Sequence, residues 1–547
     1  MFKRSLMLLV LCCWQSLPVQ AALEDEIFTI MQSVHQGEPV QFMAEPVRAG
    51  DILDVFYAGR EYAPAWEGYD YIKQVLAEVA GSEQEGLNPE DYHYSALLQL
   101  VEDYRASGER NQRVRAQFDV LLSDGILLYA RHLQEGKVDP GAVEESWNFS
   151  RREFDPQTVA SRLSEAIKTR KVVEILEDMK PDVEFYGLMK NELQRFKGLE
   201  KQYVFQPVPD DTVLKPGMQH PNVAALREQL ARLGLASRTT ATPDVFDDAL
   251  RDSVEQFQRL HAVDVDGVVG GQSFRALNVS YADRADQIRL NLDRVRWVQD
   301  DRTEEMVLVN IAGYEMYYFR DDEVAWRTDV MVGTIRNETP IFHASMSYLV
   351  LNPTWTVPRS IIRKSLFAKF AADPGYVKAH NYKLYDSEGV EADPASMDWA
   401  SYSRNRFPYR VVQQPGPGNA LGRVKFMFPN KHAVYLHDTP SRALFSRTDR
   451  AFSHGCVRVK DPLNFADLLL EDNTDWNRQR IDETVSVTEQ HSPEQTVLRL
   501  KKPVDVMLMY WTVSPTIDGD LQFHPDVYQR DPKSLASLKE TPHWARL

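Results

Sequence analysis

At Met306 the hydrophobic repeat of this 547-residue chain changes period, and that switch limits the fold more than any other feature. Upstream, apolar residues recur every three or four positions, as in Ile72, Val75, Leu76 and Val79, and again in Val114, Phe118, Leu121 and Leu122. That spacing places them on one face of a helix. Downstream, Met306-Val307-Leu308-Val309-Asn310-Ile311 and the run from Tyr314 to Phe319 are rich in β-branched and aromatic residues, with Ala312-Gly313 between them. That is a hairpin signal. Further strands are expected at 324–332, 347–351, 424–428 and 433–436, and the apolar run 504–513 reads as a strand buried on both faces. The chain is therefore expected to be multidomain α+β, with helices first and a mostly β domain last.

The start of the chain reads as a secretory signal over residues 1–21. Lys3 and Arg4 precede a short apolar core from Leu6 to Trp14, and Val19-Gln20-Ala21 resembles a cleavage site. The apolar core is short for a spanning helix, and a retained membrane anchor is the competing reading. Export to an envelope space, the periplasm, is the expectation.

Residues 22–205 are expected to be a helical scaffold, broken at Gly86-Leu87-Asn88-Pro89 and Asp139-Pro140-Gly141. Its carboxylates, His93 and His132 have no catalytic spacing and are expected at the surface or the core edge. Gln206-Pro207-Val208-Pro209-Asp210-Asp211 reads as a linker opening a 206–282 unit. In that unit Val223, Leu226, Leu230 and Leu233 form one helix face before Gly234, and Leu250, Val254 and Phe257 form a second. Asp266-Gly267-Val268-Val269-Gly270 then turns into a short third helix through Phe274 and Leu277. This three-helix pattern resembles the small peptidoglycan-binding domain, with a helical spacer that binds nothing as the plainer reading. Residues 283–515 are expected to be the mostly β domain, entered by a helix carrying Ile288, Leu292 and Val295. Residues 358–410 interrupt it as a capping insertion, either a lid or an ornamental subdomain. Residues 516–547 are set apart as a C-terminal tail.

A formal charge of −17 argues against a nucleic-acid partner. Cysteine usage is more telling. Cys12 and Cys13 fall in the leader, which leaves Cys456 without a disulfide partner. It lies in Ser453-His454-Gly455-Cys456-Val457-Arg458-Val459. A thiol with an ordinary pKa of about 8.5 needs a base or a cation to act as a nucleophile. His454 is two residues away, and His437 follows the expected strand at 433–436, so it can approach from a separate element. Gly455 permits an unusual backbone angle and lets main-chain N–H groups near Cys456 approach an oxyanion, worth roughly 3–4 kcal/mol per donor. Arg458 can grip a carboxylate with two prongs, or form a structural ion pair. Two readings compete with a nucleophile. His437, His454 and Cys456 can supply three zinc ligands, although no CxxC or HExxH is present. Alternatively Cys456 is an inert buried thiol.

His437, then fifteen residues, then Ser453-His454-Gly455-Cys456-Val457-Arg458 resembles the signature of the L,D-transpeptidases with a YkuD-type catalytic domain. Val332-Gly333-Thr334 followed by Glu338-Thr339-Pro340 resembles their upstream strand and turn. The whole layout is similar to the large Gram-negative members: a helical scaffold, a small three-helix peptidoglycan-binding-like module and a mostly β catalytic domain with a capping insertion. The resemblance implies Cys456 as nucleophile and His437 as general base, oriented by a backbone carbonyl near Asp438. It implies the N–H groups of Gly455 and Cys456 as an oxyanion hole, and Ser453, His454 and Arg458 as substrate-binding residues. It implies no metal and no cofactor, with peptidoglycan tetrapeptide stems as donor and acceptor. The implied product is a 3→3 cross-link made through a cysteine thioester. Carboxypeptidase, lipoprotein-anchoring or cleaving activity, or non-catalytic wall binding, are the alternatives. The thiol of this family is also a carbapenem target.

Overall fold

The computed structural model describes residues 17–542 apart from 108–110, 150–153, 239, 299–302, 304, 474, 487–493 and 517. The apolar core of the expected leader lies outside the described residues. The first helix, Leu17–His35, runs through the expected cleavage site, and its Leu23, Ile27, Met31 and Val34 are buried in the scaffold.

The scaffold is helical as its period predicts. At its centre stands Gln112–Glu135, with Phe118, Leu121, Leu122 and Leu133 fully enclosed. Two carboxylates on this helix replace backbone partners that loops would otherwise lack. Asp119 accepts from the N–H groups of Ala65 and Trp66 and from the Tyr57 hydroxyl at 2.6 Å. Asp124 accepts from the N–H groups of Arg48 and Ala49. The scaffold histidines are not at its edge. His93 is fully buried, with Nε2 2.8 Å from Asp124 and Nδ1 3.1 Å from Glu45. His132 is buried against Tyr92 at 3.0 Å, and burial holds it well below the ordinary imidazole range. Buried polar groups persist where they are paired, and these pairs are separated by dozens of residues in sequence.

The small module has the three expected helices, Pro221–Arg232, Asp248–Leu260 and Gly271–Leu277, around Val223, Leu226, Leu250, Phe257 and Phe274. Its expected linker is a strap. Val208 is buried in the module core, and its N–H and C=O bond the Asn278 side chain at 2.8 and 3.0 Å.

Helix Tyr281–Arg296 joins the three parts. Its Ile288 and Leu292 pack on Met189, Leu193 and Phe196 of scaffold helix Glu184–Gln202. Asp293 accepts from the N–H groups of Lys137 and Val138 and from the Trp297 indole. Arg296, fully buried, donates to the Glu85 carbonyl and the Tyr186 hydroxyl.

The β domain is one closed sheet. Its strands are β1 (Glu305–Asn310), β2 (Glu315–Arg320), β3 (Glu323–Gly333), β4 (Phe342–Leu351), β5 (Val424–Met427), β6 (Leu436–His437), β7 (Ala451–Ser453), β8 (Val457–Val459) and β9 (Thr496–Met509). They run in the order β7-β3-β8-β6-β5-β4-β9-β1-β2, and β2 pairs back to β3. Pairing of β2 with β3 closes the other eight strands into a barrel with one inner and one outer face, and β7 is a short branch on β3. The run 504–513 therefore is not buried on both faces. In β9, Val504, Val506 and Leu508 point inward and are buried, while Asp505 and Met507 are part exposed. The strand expected at 433–436 is also shorter, because Ala433 takes φ 55° in a turn and the ladder begins at Leu436.

The insertion has its own core of Val357, Ile362, Leu366, Phe370, Leu384, Phe407 and Val411. A helical run over 359–372 packs on a four-stranded antiparallel sheet. The described residues after 515 pack back on the body. Leu521–Phe523 pairs with Val513–Pro515, and helix Asp531–Lys539 follows. Between them, the Tyr528 hydroxyl donates to the Gly333 carbonyl at 2.7 Å.

Candidate active site

Strand register assembles the site. β6 and β8 are parallel, with Leu436 opposite Val457 and His437 opposite Arg458. β5 lies antiparallel on the other side, with Phe426 opposite Leu436 and Lys425 opposite His437. Phe426, Leu436 and Val457 are fully buried and fill the barrel. Side chains alternate along a strand, so Lys425, His437 and Arg458 share the outer face. One pleat earlier on that face stand Tyr435 and Cys456, where the Val457 N–H donates to the Tyr435 carbonyl at 3.2 Å.

His437 is buried at 4% exposure, and its Nδ1–H donates to the Asp438 carbonyl at 2.5 Å. A main-chain oxygen thus fixes the tautomer and leaves Nε2 as the basic nitrogen. The Asp438 carboxylate points elsewhere, accepting from the Arg423 N–H at 2.9 Å and from Arg442 at 3.1 Å. Burial and then the Arg458 charge push the imidazole down to about 3, so it is neutral at rest.

Cys456 is half-buried, and its Sγ lies 3.7 Å from the Ala433 carbonyl. Burial pushes the thiol up. The neighbouring main chain and phenol of Tyr435, with the charges of Arg458 and Lys425, pull the other way. Trp355, at the root of the insertion, lies near enough to Tyr435 to lower its phenol, against the larger upward push of burial. Burial lowers Arg458 as well. Among the described residues Arg458 makes no ion pair, and its Nε is buried without a partner. The structural ion pair considered for this residue is absent there, and the guanidinium is free for a ligand.

The loop before Cys456 corrects two expectations. The Gly455 N–H is not free for an oxyanion: it donates to Ser453 Oγ at 3.0 Å. The Ser453 hydroxyl, 2% exposed, in turn donates to the Cys456 carbonyl at 2.5 Å. Ser453 is therefore an internal brace, because both hydrogen-bonding functions are spent on the loop and none faces outward. The Cys456 N–H donates to no group among the described residues and remains available. Gly455 takes φ 109°, which a side chain resists. His454 is exposed at the rim, where burial and the charges of Lys364, from the insertion, and Arg458 lower it.

Beneath this loop lies a shelf. The Gly333 N–H donates to Thr339 Oγ1 at 2.9 Å, and the Thr339 hydroxyl donates to the Gly455 carbonyl at 2.9 Å. The Thr334 N–H donates to the Ser453 carbonyl at 3.0 Å. Among the described residues no three His, Cys, Asp or Glu side chains group as metal ligands, so the three-ligand zinc arrangement is not formed.

Tyr435, Lys425, Trp355 and Thr339 were not singled out for the chemistry by sequence. Tyr435 has a signal: it stands two residues before His437, just ahead of β6 and within the expected strand at 433–436, hence on the same face.

Burial of the Cys456 thiol and the His437 imidazole has a measurable consequence. Iodoacetamide alkylation of Cys456 should keep rising beyond about pH 8.5, the ordinary thiol value. A plateau in the weakly acid range, the mark of a resting thiolate–imidazolium pair, would contradict it. Turnover should persist on the acid side well below the ordinary imidazole value of about 6.5, since His437 stays unprotonated there.

Comparison with known proteins agrees with this layout. Residues 51–193 match the family model of a scaffold domain, 219–277 that of a "Putative peptidoglycan binding domain", and 304–488 that of the YkuD L,D-transpeptidase catalytic domain. A curated protein of Haemophilus influenzae described as "Putative L,D-transpeptidase" is 37% identical over 245 residues, 45% of this chain and 48% of that protein. The chain thus spans about half the length of that relative. An L,D-transpeptidase from Mycobacterium smegmatis is 14% identical over 38% of this chain and 58% of its own, with a TM-score of 0.18. One from Stackebrandtia nassauensis is 12% identical over 56% and 97%, with a TM-score of 0.20. The family models fall on the helical part, the three-helix module and the barrel in that order, and the barrel, residues 304–488, is the part that matches the L,D-transpeptidase catalytic domain.

Proposed function

We propose that the protein forms 3→3 cross-links between peptidoglycan tetrapeptide stems through a Cys456 thioester, in the periplasm. The observation that supports this most is the shared outer face: a thiol, an imidazole with one nitrogen pinned to a carbonyl, and an unpaired guanidinium in adjacent register.

The chemistry follows from a neutral resting pair. His437 Nε2 takes the Cys456 proton as Sγ bonds to the carbonyl carbon of the stem's third residue, diaminopimelate. The Cys456 N–H, with the Tyr435 phenol beside it, would receive the oxyanion. The C–N bond to the terminal D-alanine breaks, and His437 returns its proton to the leaving amine. An amine on a second stem then attacks the thioester and gives a proton to His437. Collapse expels the thiolate, which recovers that proton. This is two-step covalent catalysis. Arg458 holds a donor carboxylate, and the insertion, reaching Tyr435 through Trp355 and His454 through Lys364, limits water.

Intact-protein mass spectrometry with a tetrapeptide stem tests it. The expected adduct is the stem less its D-alanine, absent from Cys456→Ala, and it should pass to an added second stem as a dimer. An adduct that yields only hydrolysed tripeptide would make the enzyme a carboxypeptidase. No adduct at all would end the proposal.

A further inference from the structure

The capping insertion carries a second set of unpaired cations. Within an acidic chain, residues 358–410 hold nine Lys or Arg against six Asp or Glu. Three of the arginines, Arg359, Arg363 and Arg404, line one cavity of about 460 Å³ with Ser360 and Asn405. No carboxylate lines it. Arg359 donates to the main-chain carbonyls of Phe407 and Pro408, which fixes it without cancelling its charge. Among the described residues the side chains of Arg363 and Arg404 have neither a hydrogen bond nor an ion pair. Three guanidinium groups facing one hollow repel each other, and an oxyanion in the hollow relieves that cost.

The cavity is close to the chemistry. Arg359 follows Trp355, a neighbour of Tyr435, by four residues, a span of at most roughly 14 Å. Lys364, next to Arg363, acts on His454 at the site rim. Arg458 already supplies a free guanidinium beside Cys456 for the donor. We infer that the Arg359–Arg363–Arg404 cavity is a carboxylate subsite that docks the second, acceptor stem, an assignment that rests on the proposed transfer reaction. Guanidinium forks suit carboxylate geometry, and a stem ending in diaminopimelate presents such groups.

The test separates this subsite from the reaction. Cys456→Ala protein is titrated by calorimetry with a wall stem tripeptide, which lacks D-alanine and cannot serve as donor. Adding Arg363→Gln and Arg404→Gln together should weaken binding at least tenfold. Adding Arg363→Lys and Arg404→Lys should weaken it less, and raising salt should weaken the Cys456→Ala protein more than the Gln pair. Both Arg363 and Arg404 are exposed, so these variants fold. Unchanged tripeptide binding in the Gln pair, or no binding to Cys456→Ala alone, overturns the subsite. Loss of inorganic phosphate binding with tripeptide binding intact assigns the cavity to phosphate and overturns it too. If Cys456 in the native protein takes no acyl group while tripeptide binding depends on these arginines, the reaction falls and the carboxylate site stands.

Discussion

Cys456→Ser and His437→Gln should each reduce the rate of acyl-enzyme formation by about 10³-fold or more, and the double variant should be scarcely worse than either. The reason lies in the resting state. Burial pushes the thiol up and the imidazole down, so in the proposed reaction neither is activated until a proton moves between them. A serine hydroxyl in the same place surrenders its proton far less readily than a thiol. The amide introduced by His437→Gln can fill the position but cannot accept a proton. Because the two groups act as a unit, removing one removes the benefit of the other. Rapid-quench measurement of adduct growth on the protein checks this. Additive losses, with the double variant another 10³-fold slower, would mean that His437 serves a separate step.

Gly333→Ala should cost more than about 4 kcal/mol of stability, or prevent folding, although Gly333 touches neither Cys456 nor His437. A Cβ there would sit 2.0 Å from the Asn337 carbonyl and 2.9 Å from the Thr339 N–H, both main-chain atoms that cannot swing aside. The displaced turn carries Thr339, whose hydroxyl supports the Gly455 carbonyl, and the Gly333 carbonyl would lose the Tyr528 hydroxyl. Denaturant midpoints give the stability, and iodoacetamide alkylation gives the state of the loop. A midpoint within about 1 kcal/mol of the parent would show that the turn yields, and the shelf would lose its role.

The parts of the fold that sequence disclosed are those set by local periodicity: the scaffold helices, the three-helix module, the β1–β2 hairpin and the helical run near 361–370. What it missed depends on distant partners. His93 belongs inside because Asp124 and Glu45 meet it there, 31 and 48 residues away. The 206–211 strap is ordered by Asn278, which composition cannot show. The 504–513 run was misjudged because only closure of the sheet gives it an outer face. At the site, local chemistry singles out Cys456, His437 and Arg458, and the register of β6 and β8 brings them onto one face. Gly455 and Ser453 were assigned outward roles because hydrogen bonds internal to a tight loop leave no trace in residue spacing. Tyr435 and Lys425 were passed over because their importance arises only once β5, β6 and β8 lie side by side.

The helix over residues 281–296 belongs to every neighbour at once. Asp293 and Arg296 satisfy scaffold backbone, and Leu292 packs among residues of both the scaffold and the hairpin at 513–523. These units are consequently not interchangeable beads. A gene rearrangement that exchanged the barrel for a cousin's would leave orphaned charges in the seam unless it carried matching partners along, so the three regions should be inherited as a single block.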